Sequence, residues 1–271
     1  MTADESAPGS STPVPEEKPR VEVRNLAKRY GSVQALRDVN MTLRAGEIVG
    51  LVGDNGAGKS TLVNIIAGAL QPTSGSLLLD GKPVSFRSPI EARAAGIETV
   101  YQDLALAPDL SIWANMFLGR EKTVSGPLGW LGWLDRKSMM AETAKDLERT
   151  RIRIASVGSR VGRLSGGQRQ AVAVSRAVAW GSRVVLMDEP TAALGVEQQA
   201  RVGELIQAVA GEGLPVLLIS HNLQQVHAIC DRIVVLFHGT TVADLRPKDT
   251  EIDDIVSWIT GAAIASNRKA S

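Results

Sequence analysis

The chain has 271 residues, 44% of them hydrophobic, with a formal net charge of +1. That size and apolar content suit one large domain or a domain with a sizeable insertion. The near-neutral balance argues against nucleic acid or an anionic surface as a bulk partner, leaving only local patches, and the single cysteine, Cys230, excludes an intrachain disulfide and suits a reducing compartment.

Residues 1–19 combine Pro8, Pro13, Pro15 and Pro19 with many Ser/Thr, and set Asp4, Glu5, Glu16 and Glu17 against the lone cation Lys18. Such a segment buries too little apolar surface to offset its ordering entropy, so a disordered acidic tail is expected. It has no basic stretch leading into an apolar one, which argues against a secretory signal. Nowhere do the roughly 18 apolar residues needed to cross a membrane run together. From residue 21, apolar and polar residues alternate over 21–23 and 39–43, which predicts a small antiparallel sheet. Tyr30 falls at a turn between these runs, and its ring fits two roles: stacking on a purine base or filling a half-buried sheet position.

The stretch that organises the chain comes next. Residues 48–52 read as a buried strand and 62–67 as a packed helix. Between them Gly53-Asp54-Asn55-Gly56-Ala57-Gly58-Lys59-Ser60-Thr61 matches G-x-x-x-x-G-K-[ST]. The three glycines allow a tight turn that aims successive backbone N–H groups at phosphate oxygens, at the positive end of the following helix. Lys59 adds a point charge near the β/γ-phosphates, and the Ser60 hydroxyl suits Mg²⁺. The whole segment, Asn55 and Thr61 included, is therefore read as a phosphate cradle.

Further along, 76–82 reads as a strand and turn, 89–96 as a short helix ended by its glycine, and 97–101 as another core strand. That strand delivers Gln102 to its carboxyl end, where open α/β sheets place ligand contacts, although a lone Gln there is equally a solvated loop residue. Residues 103 to about 180 have few β-branched runs and show helical spacing over 112–118 and 136–149, so a helical insertion is expected. Its stretch Ser125-Gly126-Pro127-Leu128-Gly129-Trp130-Leu131-Gly132-Trp133 is too glycine-rich for a stable helix. We expect a loop whose tryptophans fold back onto neighbouring helices, with partner contact as the alternative. Leu164-Ser165-Gly166-Gly167-Gln168 then opens an Ala/Val-rich helix. A hydroxyl, free N–H groups and the positive dipole end suit a polyphosphate there, but the same residues also make an ordinary capped turn.

Residues 183–188 form a buried strand that ends in two adjacent carboxylates. Asp188 can hold Mg²⁺, and Glu189 can take a proton from a water attacking a γ-phosphate. An amphipathic helix over 196–209 leads to a buried strand, 215–220, that ends at His221. This histidine can donate to a γ-phosphate oxygen or merely cap a helix, whereas His227 and His238 read as surface residues. A closing hairpin over 233–239 and a last helix over 249–260, followed by a polar tail, complete the reading.

The cradle, Gln102, the Leu-Ser-Gly-Gly-Gln run, Asp188-Glu189 and His221, in that order, resemble the ATP-binding subunit of an ABC transporter over about residues 21–245. The resemblance implies an α/β fold: a P-loop NTPase core with a mostly parallel sheet, an N-terminal antiparallel β-subdomain and an inserted helical subdomain at about 103–180. The ATPase domain would span 20–245, between the tail 1–19 and a C-terminal helix and tail at 246–271. It implies ATP and Mg²⁺ as ligands, with Tyr30 on adenine and Lys59 and Ser60 on phosphates and metal. Gln102 would sense the γ-phosphate beside the metal and report to a membrane subunit. Asp188 would complete the metal site, Glu189 would act as general base, and His221 as the γ-phosphate switch. Ser165, Gly166, Gly167 and Gln168 of one copy would close on ATP in the cradle of another, so a homodimer is implied.

The runs Tyr101-Gln102-Asp103-Leu104-Ala105-Leu106, Asn115-Met116-Phe117-Leu118-Gly119-Arg120 and Pro190-Thr191-Ala192-Ala193-Leu194 are similar to those of the monosaccharide-import branch, which serves ribose, xylose and fructose uptake. This implies a membrane permease and an extracytoplasmic sugar-binding protein as partners, no nucleic acid, and a peripheral place on the cytoplasmic face of the membrane. The chain departs from the family at Gly195, where most members have aspartate. The alternative is a soluble ABC-type ATPase uncoupled from transport. The long coiled-coil insertions, metal-binding cysteines or second ATPase half usual in such proteins are not seen in the sequence. A third class, a non-catalytic binding module, is disfavoured because Lys59, Asp188, Glu189 and His221 are intact.

Overall fold

The computed structural model describes residues 18–150, 152, 154–192 and 194–270. Apart from Lys18 and Pro19, the expected acidic tail lies outside these residues, as does Ala193. Strand β1 (Val21–Tyr30) pairs antiparallel with β2 (Val33–Leu43), which continues the alternation seen in the sequence. Strand β3 (Ile48–Val52) is buried at every position, as a central parallel strand must be, and leads through the glycine-rich turn into α1 (Lys59–Ile66). Strands β4 (Ser74–Leu79) and β5 (Lys82–Val84) extend the first sheet in the order β2-β1-β4-β5. Helix α2 (Pro89–Ala94), started by the Ser88 side chain accepting from the Glu91 N–H, then turns the chain into β6 (Ile97–Val100).

The insertion contributes α3 (Ile112–Met116), α4 (Pro127–Trp130), α5 (Arg136–Arg149) and the head of α6 (Gly166–Trp180). After it come β7 (Val184–Asp188), α7 (Val196–Gly211), β8 (Val216–Ile219) and α8 (Leu223–Ile229). The hairpin of β9 (Arg232–Phe237) and β10 (Thr240–Leu245) closes the second sheet, and α9 (Ile252–Ile259) and α10 (Ala262–Ala270) follow. Residues 262–270, expected within a polar tail, are therefore helical.

The second sheet has the order β10-β9-β3-β8-β7-β6, parallel except for β10. Its strands alternate between two cores, because successive side chains of a strand point to opposite faces. Val49, Leu51, Val184, Leu186, Leu217 and Ile219 join α1 and the antiparallel sheet, while Ile48, Val52, Val185, Met187, Val216 and Leu218 join helices α6, α7 and α8. A third core, with Ile112, Met116, Phe117, Met139, Leu147 and Val161, holds the insertion together. Helix α6 bridges the two: Val172 packs in the insertion, while Ala173, Val174, Ala177 and Val178 pack under the sheet. The buried Glu98 on β6 pairs with Arg120 of the insertion, and the Arg176 guanidinium donates to the Ala105 (2.8 Å) and Leu104 (3.0 Å) carbonyls.

Two expectations need correction. The tryptophans of 125–133 do not fold back: Trp130 is 92% and Trp133 61% exposed, because the glycine-rich run closes on itself as a short hairpin capped by α4. His227 is half-buried rather than a surface residue, and its Nε2 lies 2.8 Å from the Thr250 carbonyl oxygen, which joins α8 to the segment before α9. His238 is exposed, as expected.

Candidate functional site

Because β3, β8, β7 and β6 are parallel neighbours, their carboxyl ends lie along one edge of the sheet, and each delivers one predicted group. Strand β3 runs into the cradle, β7 ends at Asp188-Glu189, β8 at Ser220-His221, and β6 leads to Gln102. All of these line one cavity of about 780 Å³ with residues 53–61. The cradle's shape depends on glycine. Gly53 has φ +152°, and a Cβ there would lie 2.3 Å from the Leu236 carbonyl oxygen; Gly58, at φ +106°, would strike Leu36 and the Ala35 carbonyl. Any side chain at either place would push the loop off β9 or β2.

The Lys59 ammonium reaches back across the turn to the carbonyls of Gly53 (2.7 Å) and Asp54 (3.0 Å), which fixes its stem along the loop. Burial lowers its pKa, opposed by the negative charges of Glu189, Asp54 and Asp188. Asp188 is held the other way. Burial raises its pKa and Glu189 adds repulsion, while Lys59 partly compensates. A half-buried carboxylate made costly in this manner is a good place for a divalent cation. Among the described residues no group of three or more His, Cys, Asp or Glu side chains is positioned to hold a metal. An ion here would rely on Ser60, Asp188 and Gln102 together with substrate oxygens, which is how Mg²⁺ is usually bound. The residues present fit that ion.

Glu189 sits in the left-handed region, φ +51°, a strained position for a residue with a side chain. Its N–H donates to the Ile219 carbonyl (2.9 Å), which ties it to the end of β8. Its Oε2 lies 2.6 Å from His221 Nδ1, but the approach lacks hydrogen-bond geometry, so this buried oxygen makes no hydrogen bond among the described residues. The Glu189 side chain is 18% exposed and that of His221 76%. The site thus offers one shielded proton acceptor beside a histidine open to a ligand.

Several positioning residues escaped the sequence reading. The buried Thr191 donates to Gln225 Oε1 (2.7 Å), and Asn222 donates to Gln199 Oε1 (3.2 Å) while its own Oδ1 caps α8 by accepting from the Gln225 N–H (3.1 Å). This network holds the loops after β7 and β8 between α7 and α8. The helix cap next to the histidine is Asn222, so His221 is not the cap, and an Asn before an apolar run was the available signal. Val256 and Ile259 of α9 also line the cavity; nothing local in the sequence announces them, because they arrive from the far end of the chain.

Tyr30 is not among the lining residues. It ends β1, 45% exposed, with the Lys28 ammonium 5.2 Å from its ring centroid, and Ala35 forms the nearby wall instead. Nor do Ser165, Gly167 and Gln168 reach this cavity. They line a second one of about 550 Å³ with Gln198, Arg201 and Val202 of α7, while Gly166 starts α6 beside Leu194. Ser165 and Gln168 form a reciprocal cap: Ser165 Oγ accepts from the Gln168 N–H (3.3 Å), and Gln168 Oε1 accepts from the Ser165 N–H (3.1 Å). Gly195 is the N-cap of α7, where its N–H donates to Gln198 Oε1 (3.1 Å).

The ABC transporter family model matches residues 36–192, from the start of the cradle side to the segment after Glu189. The chain belongs to the ABC transporter family. It is 51% identical to the fructose import ATP-binding protein FrcA of Rhizobium meliloti, over 91% of this chain and 95% of that protein. It is 46% identical to the xylose/arabinose import ATP-binding protein XylG of Sulfolobus acidocaldarius, over 90% and 95% of the two. Among solved structures, a nucleotide-free ATP-binding cassette from an ABC transporter superposes with a TM-score of 0.75 at 27% identity, covering 88% of this chain and 95% of that one. This ABC protein thus has the P-loop ATPase fold expected from its motifs: a mostly parallel core sheet, an antiparallel N-terminal subdomain and an inserted helical subdomain.

Proposed function

We propose that this ABC protein is the ATP-hydrolysing subunit of an importer that takes up a monosaccharide through a membrane permease, with an extracytoplasmic sugar-binding protein supplying the sugar. The observation that carries the ATPase reading is the convergence of the cradle, Gln102, Asp188, Glu189 and His221 on one cavity from four strand ends. Sugar import is supported by the likeness to the fructose and xylose/arabinose proteins.

In this reading the backbone N–H groups of 53–61 and Lys59 bind the β- and γ-phosphates of ATP. Ser60, Asp188 and Gln102 hold Mg²⁺, which when bound neutralises phosphate charge. Glu189 Oε2 accepts the proton of the attacking water, and His221 donates toward the γ-phosphate and orients that water. Asn222, Gln199, Thr191 and Gln225 keep the two loops in register, so base and histidine stay together. Tyr30 stacks on adenine at the open rim.

The separation of Ser165–Gln168 from the cradle supports a homodimer, in which each signature helix start completes the site of the other copy. The ATPase domain would span 20–245, with 246–271 appended, and the protein would sit peripherally on the cytoplasmic face of the membrane; among the described residues no helix is long and apolar enough to cross one. The test is reconstitution with the permease in proteoliposomes. Uptake of labelled fructose, xylose or ribose should require Mg²⁺-ATP and Glu189. Hydrolysis without uptake of any monosaccharide would retain the ATPase and remove the sugar reading.

A further inference from the structure

Trp130, Leu131, Trp133 and Leu134 are 92%, 69%, 61% and 39% exposed. Scattered apolar surface residues need no explanation, but two tryptophans and two leucines within one turn of chain do. The structure holds them out in a defined way. The Val124 N–H donates to the Trp133 carbonyl (2.9 Å), the Asp135 N–H donates to the Lys122 carbonyl (2.8 Å), and Thr123 pairs with Leu134 in an antiparallel bridge. The tip is an exposed knob on a two-legged stem.

No charged residue occurs from Val124 to Leu134. The legs, Arg120-Glu121-Lys122 and Asp135-Arg136-Lys137, carry four cations against two anions. Both anions are engaged locally: Glu121 accepts from the Gly119 N–H (2.9 Å) and Asp135 from the Ser138 N–H (3.0 Å). Arg120 and Lys122 pair with Glu98 and Glu142, but Arg136 and Lys137 are exposed and make no ion pair among the described residues. They also occupy the first turn of α5, which contains no acidic residue. Cations there oppose the helix dipole, so they do not serve the helix.

We propose that residues 124–134 form a membrane-contact element that seats Trp130, Leu131 and Trp133 at the headgroup–acyl boundary of an anionic bilayer, with Arg136 and Lys137 on the headgroups. Tryptophan suits that boundary, with an apolar body and one N–H donor. The knob repeats the layering of a lipid surface, apolar outermost and cationic one step behind. Trp130 stands almost wholly in solvent with exposed Arg136 and Lys137 behind it, an arrangement that a fluid anionic surface accepts without a matching pocket, and this favours lipid over a protein partner. A few apolar side chains give weak, reversible association that nearby cations reinforce. The inference rests on the proposed function only in placing the protein beside a membrane.

The test is co-flotation of the full chain with vesicles of phosphatidylglycerol and phosphatidylcholine, and with phosphatidylcholine alone. We expect binding to the anionic vesicles, and a loss of about tenfold or more for Trp130→Ser with Trp133→Ser. Arg136→Gln with Lys137→Gln should cost about fivefold per charge removed and flatten the salt dependence. The difference in tryptophan emission between wild type and the double serine variant isolates the tip, and it should shift to the blue on anionic vesicles. Absence of vesicle binding, or binding undiminished in the tryptophan variant, overturns the proposal. So does shielding of the tip only by detergent-solubilised permease, which would assign a protein partner. ATP turnover and unfolding midpoint of the variants should match wild type, so loss of ATPase bears on the proposed function and loss of flotation on this one. If the double variant fails to fold, Trp130→Ser alone and the Arg136/Lys137 pair carry the same test.

Discussion

Glu189→Gln probes the chemistry most directly. Gln keeps the size of the side chain and incurs a similar backbone penalty at φ +51°, so the loop after β7 should hold its shape. What is lost is the proton acceptor: Oε2, buried, without a hydrogen bond among the described residues and 2.6 Å from His221 Nδ1. A positioned general base contributes about 10²–10⁴-fold to rate, or about 3–5 kcal/mol in the barrier. Nucleotide binding should not suffer, because Glu189 repels Asp188 and its removal lets that carboxylate ionise more readily. The expected outcome is therefore a fall of that size in kcat for phosphate release, with Mg²⁺-ATP affinity equal or tighter by equilibrium titration and a longer-lived ATP-bound dimer in size-exclusion chromatography. Unchanged turnover, or parallel losses in kcat and in affinity, would refute the assignment of Glu189 as base.

Lys59→Ala should weaken ATP binding about 10–100-fold by calorimetry, the scale of one charge-assisted contact; wild-type affinity would count against the cradle. Asp188→Asn should abolish Mg²⁺-dependent hydrolysis yet stabilise the nucleotide-free protein at neutral pH. Because the folded-state pKa of Asp188 is raised, wild type is at no disadvantage below the ordinary Asp range near about 3.9, and loses stability as pH rises through the raised value. Unfolding midpoints of the two proteins should converge in acid, and a constant gap across pH would contradict this. Ser165→Ala removes the cap of α6, worth about 1 kcal/mol, and should impair ATP-driven dimerisation in the Glu189→Gln background more than nucleotide binding by the monomer. An effect confined to the monomer would exclude the cross-dimer role.

The candidate site residues were legible because their neighbours are constrained locally. A phosphate cradle needs glycine at Gly53 and Gly58, where any Cβ would collide with β9 or β2. Asp188-Glu189 and His221 stand out because each follows an unbroken apolar run, the mark of a strand buried on both faces. Strands β3, β7 and β8 followed from apolar runs and helices α5 and α7 from helical spacing, whereas β10 carried no such signal. The tryptophan loop was not legible: its apolar residues led to the expectation that they fold back, and only the hairpin through Thr123 and Leu134 shows that they stand exposed.

The sequence by itself determined the ATPase fold through the ordered motifs and the family resemblance they carry, and it marked the phosphate, metal and proton-transfer candidates through backbone freedom and charge within a few residues. Tertiary structure decided what meets what. Parallel register sets Asp188 opposite Ile219 and Val100 opposite Met187, which brings Gln102, Glu189 and His221 to one edge. It also keeps Ser165–Gln168 in another cavity and brings Val256 and Ile259 to the wall of the first. Such contacts join segments far apart in the chain, and their free energy comes from strand pairing and core packing that no short window of sequence contains.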